Sequence, residues 1–420
     1  MQASAYTSGE EVFIMYDIIE QHRIQDQILS ERLDTVLPEV MRETGTECWV
    51  IASREYNEDP MFQHIVPSMY PHARRMTILI FSMKNDVLDR ISVTFPDQFL
   101  DRYYRHDFDR TKETQMQALE RVLRELDPAK ITLNISDSYA YTDGLSAGLY
   151  RVFMKELPED LTSRFISNDQ AGIRLLETRT ETELKHYPEV MDLALQIITD
   201  AFSPEVIRPG VTTCRDVMDF MIRRVNELGI TTWFNPDIDL QNSTGMHGEE
   251  TVIQKGDLLH CDFGIEYMNM RTDTQRLCYV RKDGETEAPE ELRNALKRNN
   301  RFQDIVREQM KVGKTGNEVF LDSIAQGKAE GLRPVLYTHP LGLFGHACGP
   351  TIGLWTDQNP IYPAGELIVH EHTSYALELS IIEYLEMYGR DTYIFTEESV
   401  VLVNDHVDFL CEGREHFFLI

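Results

Sequence analysis

The chain is predicted to be a two-domain α/β (α+β) protein. An alternating strand–helix domain covers residues 1–170, and a pseudo-symmetric domain with helices backing a curved sheet covers 171–420. Three observations predict this. At 420 residues the chain exceeds what one ordinary core serves. Strand-type apolar runs alternate with amphipathic helical stretches through its first part. The second part carries an internal echo, two segments that open on Gly-x-Thr, run through a helical pattern and stop at a glycine.

In chain order, ECWVIAS (47–53), RMTILIFSM (75–83), RISVTF (90–95) and ITLNIS (131–136) read as strands. QMQALERVLREL (115–126) and GLYRVFMKEL (148–157) read as helices. The polar stretch SNDQAGIRLLETRTETE (167–183) marks the boundary, and a long helical pattern, ELKHYPEVMDLALQIITDAF, follows it. The echo consists of IRPGVTTCRDVMDFMIRRVNELGI and MKVGKTGNEVFLDSIAQGKAEGLR, with Thr212 and Thr315 as predicted N-caps and Gly229 and Gly331 as predicted C-caps.

Composition narrows the partners. A formal net charge of -29 disfavours nucleic-acid phosphates and anionic membranes. No apolar run approaches the roughly 20 residues of a spanning helix, and MQASAYTSGEEVF lacks the basic and apolar regions of a signal peptide. Six scattered cysteines form no CxxC or zinc-finger spacing, which fits reduced, buried thiols. A cytoplasmic location is therefore expected, with a periplasmic or secreted one left open.

Acidic residues then appear where strands should be apolar. In LLHCDFGIEYMNMRTDTQRLCYV, Asp262 and Asp273 lie 11 apart, on two predicted strands of a hairpin around YMNMR. SYALELSI places Glu378 inside a strand, and YIFTEESVVLV places Glu397 at the start of another. YTHPLGLFGHACGP adds His339 and His346 in an apolar setting. A buried carboxylate needs a partner, and Arg271 or Arg276 could supply a salt bridge to the first pair. Two aspartates, two glutamates and a histidine in one domain point instead to a site for Mn, Co, Zn or Fe. Two divalent ions balance four carboxylates better than one.

On these residues the chain resembles the pita-bread metallopeptidases, the group of methionine aminopeptidase, aminopeptidase P, prolidase and creatinase. The ordered pattern is Asp262, then Asp273 in Asp-x-x-Arg (Arg276), the unit His339-Pro-Leu-Gly342-Leu-Phe-Gly-His346, then Glu378 and Glu397. The resemblance implies a creatinase-like N-terminal domain and a pita-bread catalytic domain with a curved antiparallel sheet. It implies two divalent ions, with manganese expected and zinc, cobalt or iron open. Asp262 would hold one ion, Asp273 and Glu397 would bridge both, and His339 and Glu378 would complete the second. Glu378 would also shuttle the proton, His346 would stabilise the oxyanion, and His247 would touch substrate. The implied activity is hydrolysis of Xaa-Pro bonds near a peptide N-terminus, by a homodimer. A pita-bread hydrolase or lyase of a small non-peptide substrate, and a non-catalytic binding module, are the alternatives; the intact ligand set weighs against the latter.

The chain departs from the family at two positions. Phe395 stands where prolidase and aminopeptidase P carry an arginine two positions before the last glutamate, which disfavours strict dipeptidase activity unless another cation, such as Arg390, serves. Val335 stands four before His339, where aminopeptidase P often has histidine. His370, His372, Glu371, Glu383, Glu386 and Glu398 are expected at the surface.

Overall fold

The structure, a computed structural model, describes residues 4–8 and 11–420. The chain divides into two compact units, Met1–Thr182 and Glu183–Ile420.

In the first unit a six-stranded mixed sheet runs, in spatial order, Arg105–His106, Val87–Val93, Met76–Lys84, Cys48–Arg54, Ile131–Leu133 and Phe165–Ser167. The helix Gln115–Leu126 buries Met116, Leu119, Val122 and Leu123, the stripe that a period of 3.6 puts on one side. That stripe joins Val50, Ala52, Ile78 and Ile80 of the sheet in one core. Thr114 and Gln117 form a capping box at its start. The polar stretch expected to mark the domain boundary is itself largely helical, Asp169–Glu177. Arg32, only 1% exposed, donates to the carbonyls of Leu175 at 3.0 Å and Thr178 at 3.2 Å, satisfying the end of that helix.

The second unit is built on a ten-stranded sheet. Its main path runs Gly245–His247, Asp237–Asn242, Leu258–Phe263, Thr274–Tyr279, Arg390–Val403, Thr373–Leu385, Pro334–Pro340 and Ile352–Gly353, antiparallel at every step. The echo in the sequence is real in space. The helix Cys214–Leu228 packs on Asp237–Asn242, and the helix Gly316–Ala329 packs on Pro334–Pro340, the corresponding strand on the other side of the central pair. Glu290–Gln309 covers the convex face, with Phe302, Ile305 and Val306 in one core with Leu377, Leu379 and Val400. The sheet curls on itself. Gln241 exchanges hydrogen bonds of 2.8 and 3.0 Å with the backbone of Tyr393, although two strands lie between theirs in the sheet.

Several local expectations change. The first echo helix is capped by Thr213, which pairs with Asp216 in a capping box, while Thr212 closes the preceding turn onto Arg208. The second is capped by Thr315 as expected, but its C-cap is Glu330, with Gly331 following at φ 76°. The predicted acidic hairpin is interrupted. Leu258–Phe263 pairs with Thr274–Tyr279, whereas Ile265–Tyr267 and Met270–Arg271 form their own small hairpin, turned by Met268 and Asn269 at φ 52° and 63°. Glu397 lies in the middle of Arg390–Val403, not at a strand start.

Candidate metal centre

Strand register assembles the site. Asp262 pairs with Gln275, Gln275 with Glu397, and Glu397 with Glu378, one row across four strands. Residues directly opposite share a face. Asp273 precedes Gln275 by two positions, and His339 pairs with Ala376, two before Glu378, so both fall on that face in the next row. The five residues that sequence pattern singled out are brought together.

Asp273, His339 and Glu397 each offer a ligand atom within 4.8 Å of the others. His339 Nε2 stands 3.5 Å from Asp273 Oδ2 and 3.8 Å from Glu397 Oε1. Its Nδ1 is 3.0 Å from the Pro340 carbonyl, a bond that places the proton on Nδ1 and leaves Nε2 free to ligate. Asp262 Oδ1, Asp273 Oδ1 and both Glu397 oxygens are buried without a hydrogen-bond partner. Among the described residues, no lysine or arginine pairs with any of the four carboxylates. Arg271 goes to Glu266 at 2.9 Å and Arg276 to Glu398 at 2.6 Å, so neither arginine is the partner.

The cost of this arrangement shows in the acidities. Burial pushes Asp273 up to about 7. Burial also lifts Glu378 to about 7, opposed by His339 and reinforced by Asp262 and Asp273. Asp262 and Glu397 are pushed well above the carboxylate range, first by burial and then by Asp273. Buried, unpaired carboxylates beside an unprotonated imidazole nitrogen are a fitting donor set for divalent cations, which supply the missing positive charge.

His346 is placed by a pinned loop. The Ala347 amide donates to Pro340 at 2.9 Å and the Arg271 amide to Gly342 at 3.0 Å. Its ring centroid lies 4.6 Å from that of His339 and 5.2 Å from that of Trp233. Trp233 donates to the Thr272 carbonyl at 2.9 Å, and a Cβ on Gly345 would fall 2.1 Å from its ring, so glycine is required there. Burial, then the adjacent His339, lowers His346 to about 4, so it is neutral at physiological pH.

Other predicted positions lie elsewhere. His247 bonds Thr244 at 2.7 Å on the edge strand, opposite Leu240, and is not gathered with the five. Arg390 begins its strand seven residues before Glu397, about 23 Å away at roughly 3.3 Å per residue, and its Nη1 sits 3.4 Å from the Asn242 carbonyl. His370 and His372 are half-buried rather than exposed. Glu398 is buried at 1%, on the opposite face from Glu397, in a bidentate pair with Arg276 at 2.6 and 2.9 Å.

The sequence reading missed three elements of the site. Gln275 donates to Glu378 Oε1 at 3.1 Å, and its spacing of two from Asp273 is the signal that could have found it. His260, two before Asp262, bonds Asp239 at 3.0 Å and lies against Phe395, ring centroids 5.0 Å apart. Burial opposes a charge on His260, but Asp239 and Asp262 prevail and hold it up at about 9. Trp233 gave no local signal.

Comparison with known proteins agrees with this geometry. The profile of "Metallopeptidase family M24" matches residues 186–404. A methionine aminopeptidase of Thermococcus onnurineus is 29% identical over 135 residues, which are 30% of this chain and 42% of that protein's length. The crystal structure of an X-Pro aminopeptidase from Thermotoga maritima superposes with a TM-score of 0.66 at 18% identity, covering 91% of this chain and 100% of the other. A dipeptidase from Pyrococcus horikoshii gives 0.62 at 18%, covering 93% and 100%, and an Xaa-Pro dipeptidase from Bacillus anthracis 0.59 at 16%, covering 93% and 100%. At these identities the structures establish the shared fold.

Proposed function

The chain belongs to metallopeptidase family M24, and from that premise we propose that it is a dinuclear metal-dependent peptidase that hydrolyses Xaa-Pro bonds near the N-terminus of peptides. The observation that carries the reading is the cluster of four carboxylates, unpaired with any lysine or arginine, around the ligating face of His339. Asp262, Asp273 and Glu397 would hold one ion, and Asp273, Glu397, His339 and Glu378 the other, with manganese as the expected metal. Bound divalent ions supply Lewis acidity and a nucleophilic water at neutral pH.

The chain's own residues do the rest. Glu378, held by the Gln275 amide, takes a proton from the attacking water and passes it to the leaving nitrogen. His346, neutral and braced by Trp233, donates an N–H to the oxyanion that develops on the scissile carbonyl. Half-buried Tyr337 and Phe395 flank the row and offer apolar surface to a substrate side chain. The preference for proline is supported by the X-Pro aminopeptidase and Xaa-Pro dipeptidase among the similar structures. A homodimer in the cytoplasm completes the proposal; among the described residues no helix is long and apolar enough to cross a membrane.

The test is metal analysis of the purified protein together with turnover of a panel of Xaa-Pro peptides, matched peptides without proline, and N-terminally blocked controls. Cleavage confined to non-proline peptides would move the chain to a general aminopeptidase role, for which the methionine aminopeptidase similarity is the precedent.

A further inference from the structure

Asp273 and Glu397 lie on either side of the seam between Thr274–Tyr279 and Arg390–Val403. Among the described residues, the backbone ladder across that seam is confined to Gln275 and Glu397. The same register sets Ser399 opposite Asp273, two positions further along each strand, yet the main chain of Asp273 finds no backbone partner there. The Ser399 hydroxyl spans the gap instead. It accepts from the Asp273 N–H at 3.2 Å and donates to the Asp273 carbonyl at 2.7 Å. From the other side of the seam, the Thr274 hydroxyl donates to the Glu397 carbonyl at 2.9 Å. Arg276 Nη1 donates to that hydroxyl at 3.0 Å, which leaves the single hydroxyl proton for Glu397. Ser399 and Thr274 are both 0% exposed, so bulk water does not compete for these bonds.

We propose that Ser399 and Thr274 are positioning residues, a reciprocal clamp in which each strand's hydroxyl holds the main chain of a ligand residue across the seam. The two residues held are the two expected to be shared by both ions. A backbone pair at Ser399 would draw Asp273 in to the usual strand spacing of about 4.8 Å. The interposed hydroxyl holds it farther out and satisfies both of its buried main-chain groups, which a ladder bond would otherwise do. The carboxylate of Asp273 is thus set from behind by a residue that never touches metal. The consequence for metal rests on the proposed function above, in which Asp273 and Glu397 are ligands; the hold on the main chain does not.

The test uses Ser399→Ala, together with Thr274→Val, which removes the hydroxyl, and Thr274→Ser, which keeps it. Two properties of the metal-stripped full chain are read: hydrogen–deuterium exchange of the Asp273 amide, and Mn²⁺ affinity by calorimetry. Ser399→Ala should speed exchange of that amide by about ten-fold, because a buried donor loses its acceptor. It should also weaken Mn²⁺ binding by about ten-fold at both sites, the usual cost of losing a group that orients a ligand. Thr274→Val should weaken Mn²⁺ binding by a similar factor, with Thr274→Ser within about two-fold of the parent. Unchanged exchange in Ser399→Ala would overturn the clamp. Faster exchange with unchanged Mn²⁺ affinity would make Ser399 a structural residue only and overturn its positioning role. A loss in Thr274→Ser equal to that in Thr274→Val would do the same for Thr274. A parent that takes up no Mn²⁺ would sink the peptidase reading, and faster exchange in Ser399→Ala would still uphold the clamp.

Discussion

Asp273 is the residue on which both halves of the proposed centre depend. Asp273→Asn should leave both ions weakly held and abolish turnover while the fold persists; elemental analysis after dialysis and circular dichroism check this. Because the Asp273 charge raises the pKa values of Asp262 and Glu397, the metal-free Asn variant should melt higher than the metal-free parent. The two histidines should separate: His339→Ala loses metal, whereas His346→Ala keeps it and loses about 10²–10³ in kcat, the cost of one oxyanion donor. Metal retained in the first and lost in the second would reverse the assignment. Phe395 bears on substrate length. No arginine stands at that position and Arg390 is far along the strand, so tripeptides should be cleaved at least as well as dipeptides; kcat/KM across a length series measures it. At this scale the five candidate ligands stood out because carboxylates inside apolar strands are conspicuous. His260 and Gln275 were not, since a polar residue two positions from a ligand looks like ordinary strand alternation until the register across strands is known. Glu398 was misread for a related reason. Adjacent residues on a strand point to opposite faces, and nothing local shows that both faces are buried here.

Among the elements, the central strands do the assembling. Thr274–Tyr279 carries Gln275 toward the site and Arg276 away from it, and Arg390–Val403 does the same with Glu397 and Glu398. The ion pair on the convex face thus locks the two strands whose concave faces hold the carboxylates. Arg276 Nη1 also reaches the Glu397 carbonyl at 3.2 Å. Glu398→Ala leaves a buried guanidinium uncompensated and should cost about 3–5 kcal/mol of stability. Chemical denaturation of the metal-free protein measures that loss, and a change below about 1 kcal/mol would show that the pair does not lock the strands. Strand and helix positions were legible from periodicity, and helix 115–126 matches its predicted span. The acidic hairpin was not, because Gly264 breaks it. A Cβ there would lie 2.2 Å from the Thr272 carbonyl and 2.4 Å from Trp233, a tertiary constraint with no local trace.

Over the whole molecule, the carboxylate row makes the metal-free protein sensitive to pH. Asp273 and Glu378 sit at about 7, and Asp262 and Glu397 are also raised. Between the ordinary carboxylate value of about 4 and pH 7 the folded state therefore holds more protons than the unfolded one. Stability of the metal-free protein must then fall as pH rises through that window. Metal binding requires those protons to leave, so affinity should climb over the same range. Thermal melts of stripped and loaded protein at pH 5 and 7.5 should show the gap between them widening with pH; a constant gap would mean that the carboxylates are not the ligands. The internal echo in the sequence made the two-fold plan of this unit legible, with Asp262 and Asp273 in one half of the sheet and Glu378 and Glu397 in the other. The curl that brings them together was not, because it depends on contacts such as Gln241 with Tyr393 across 152 positions. The measurement that tests the account most directly is the metal content of the protein after loading with Mn²⁺ and exhaustive removal of free ion. The account predicts two ions per chain, both lost in Asp273→Asn. A parent that retains none, or an Asp273→Asn variant that retains two, would contradict it.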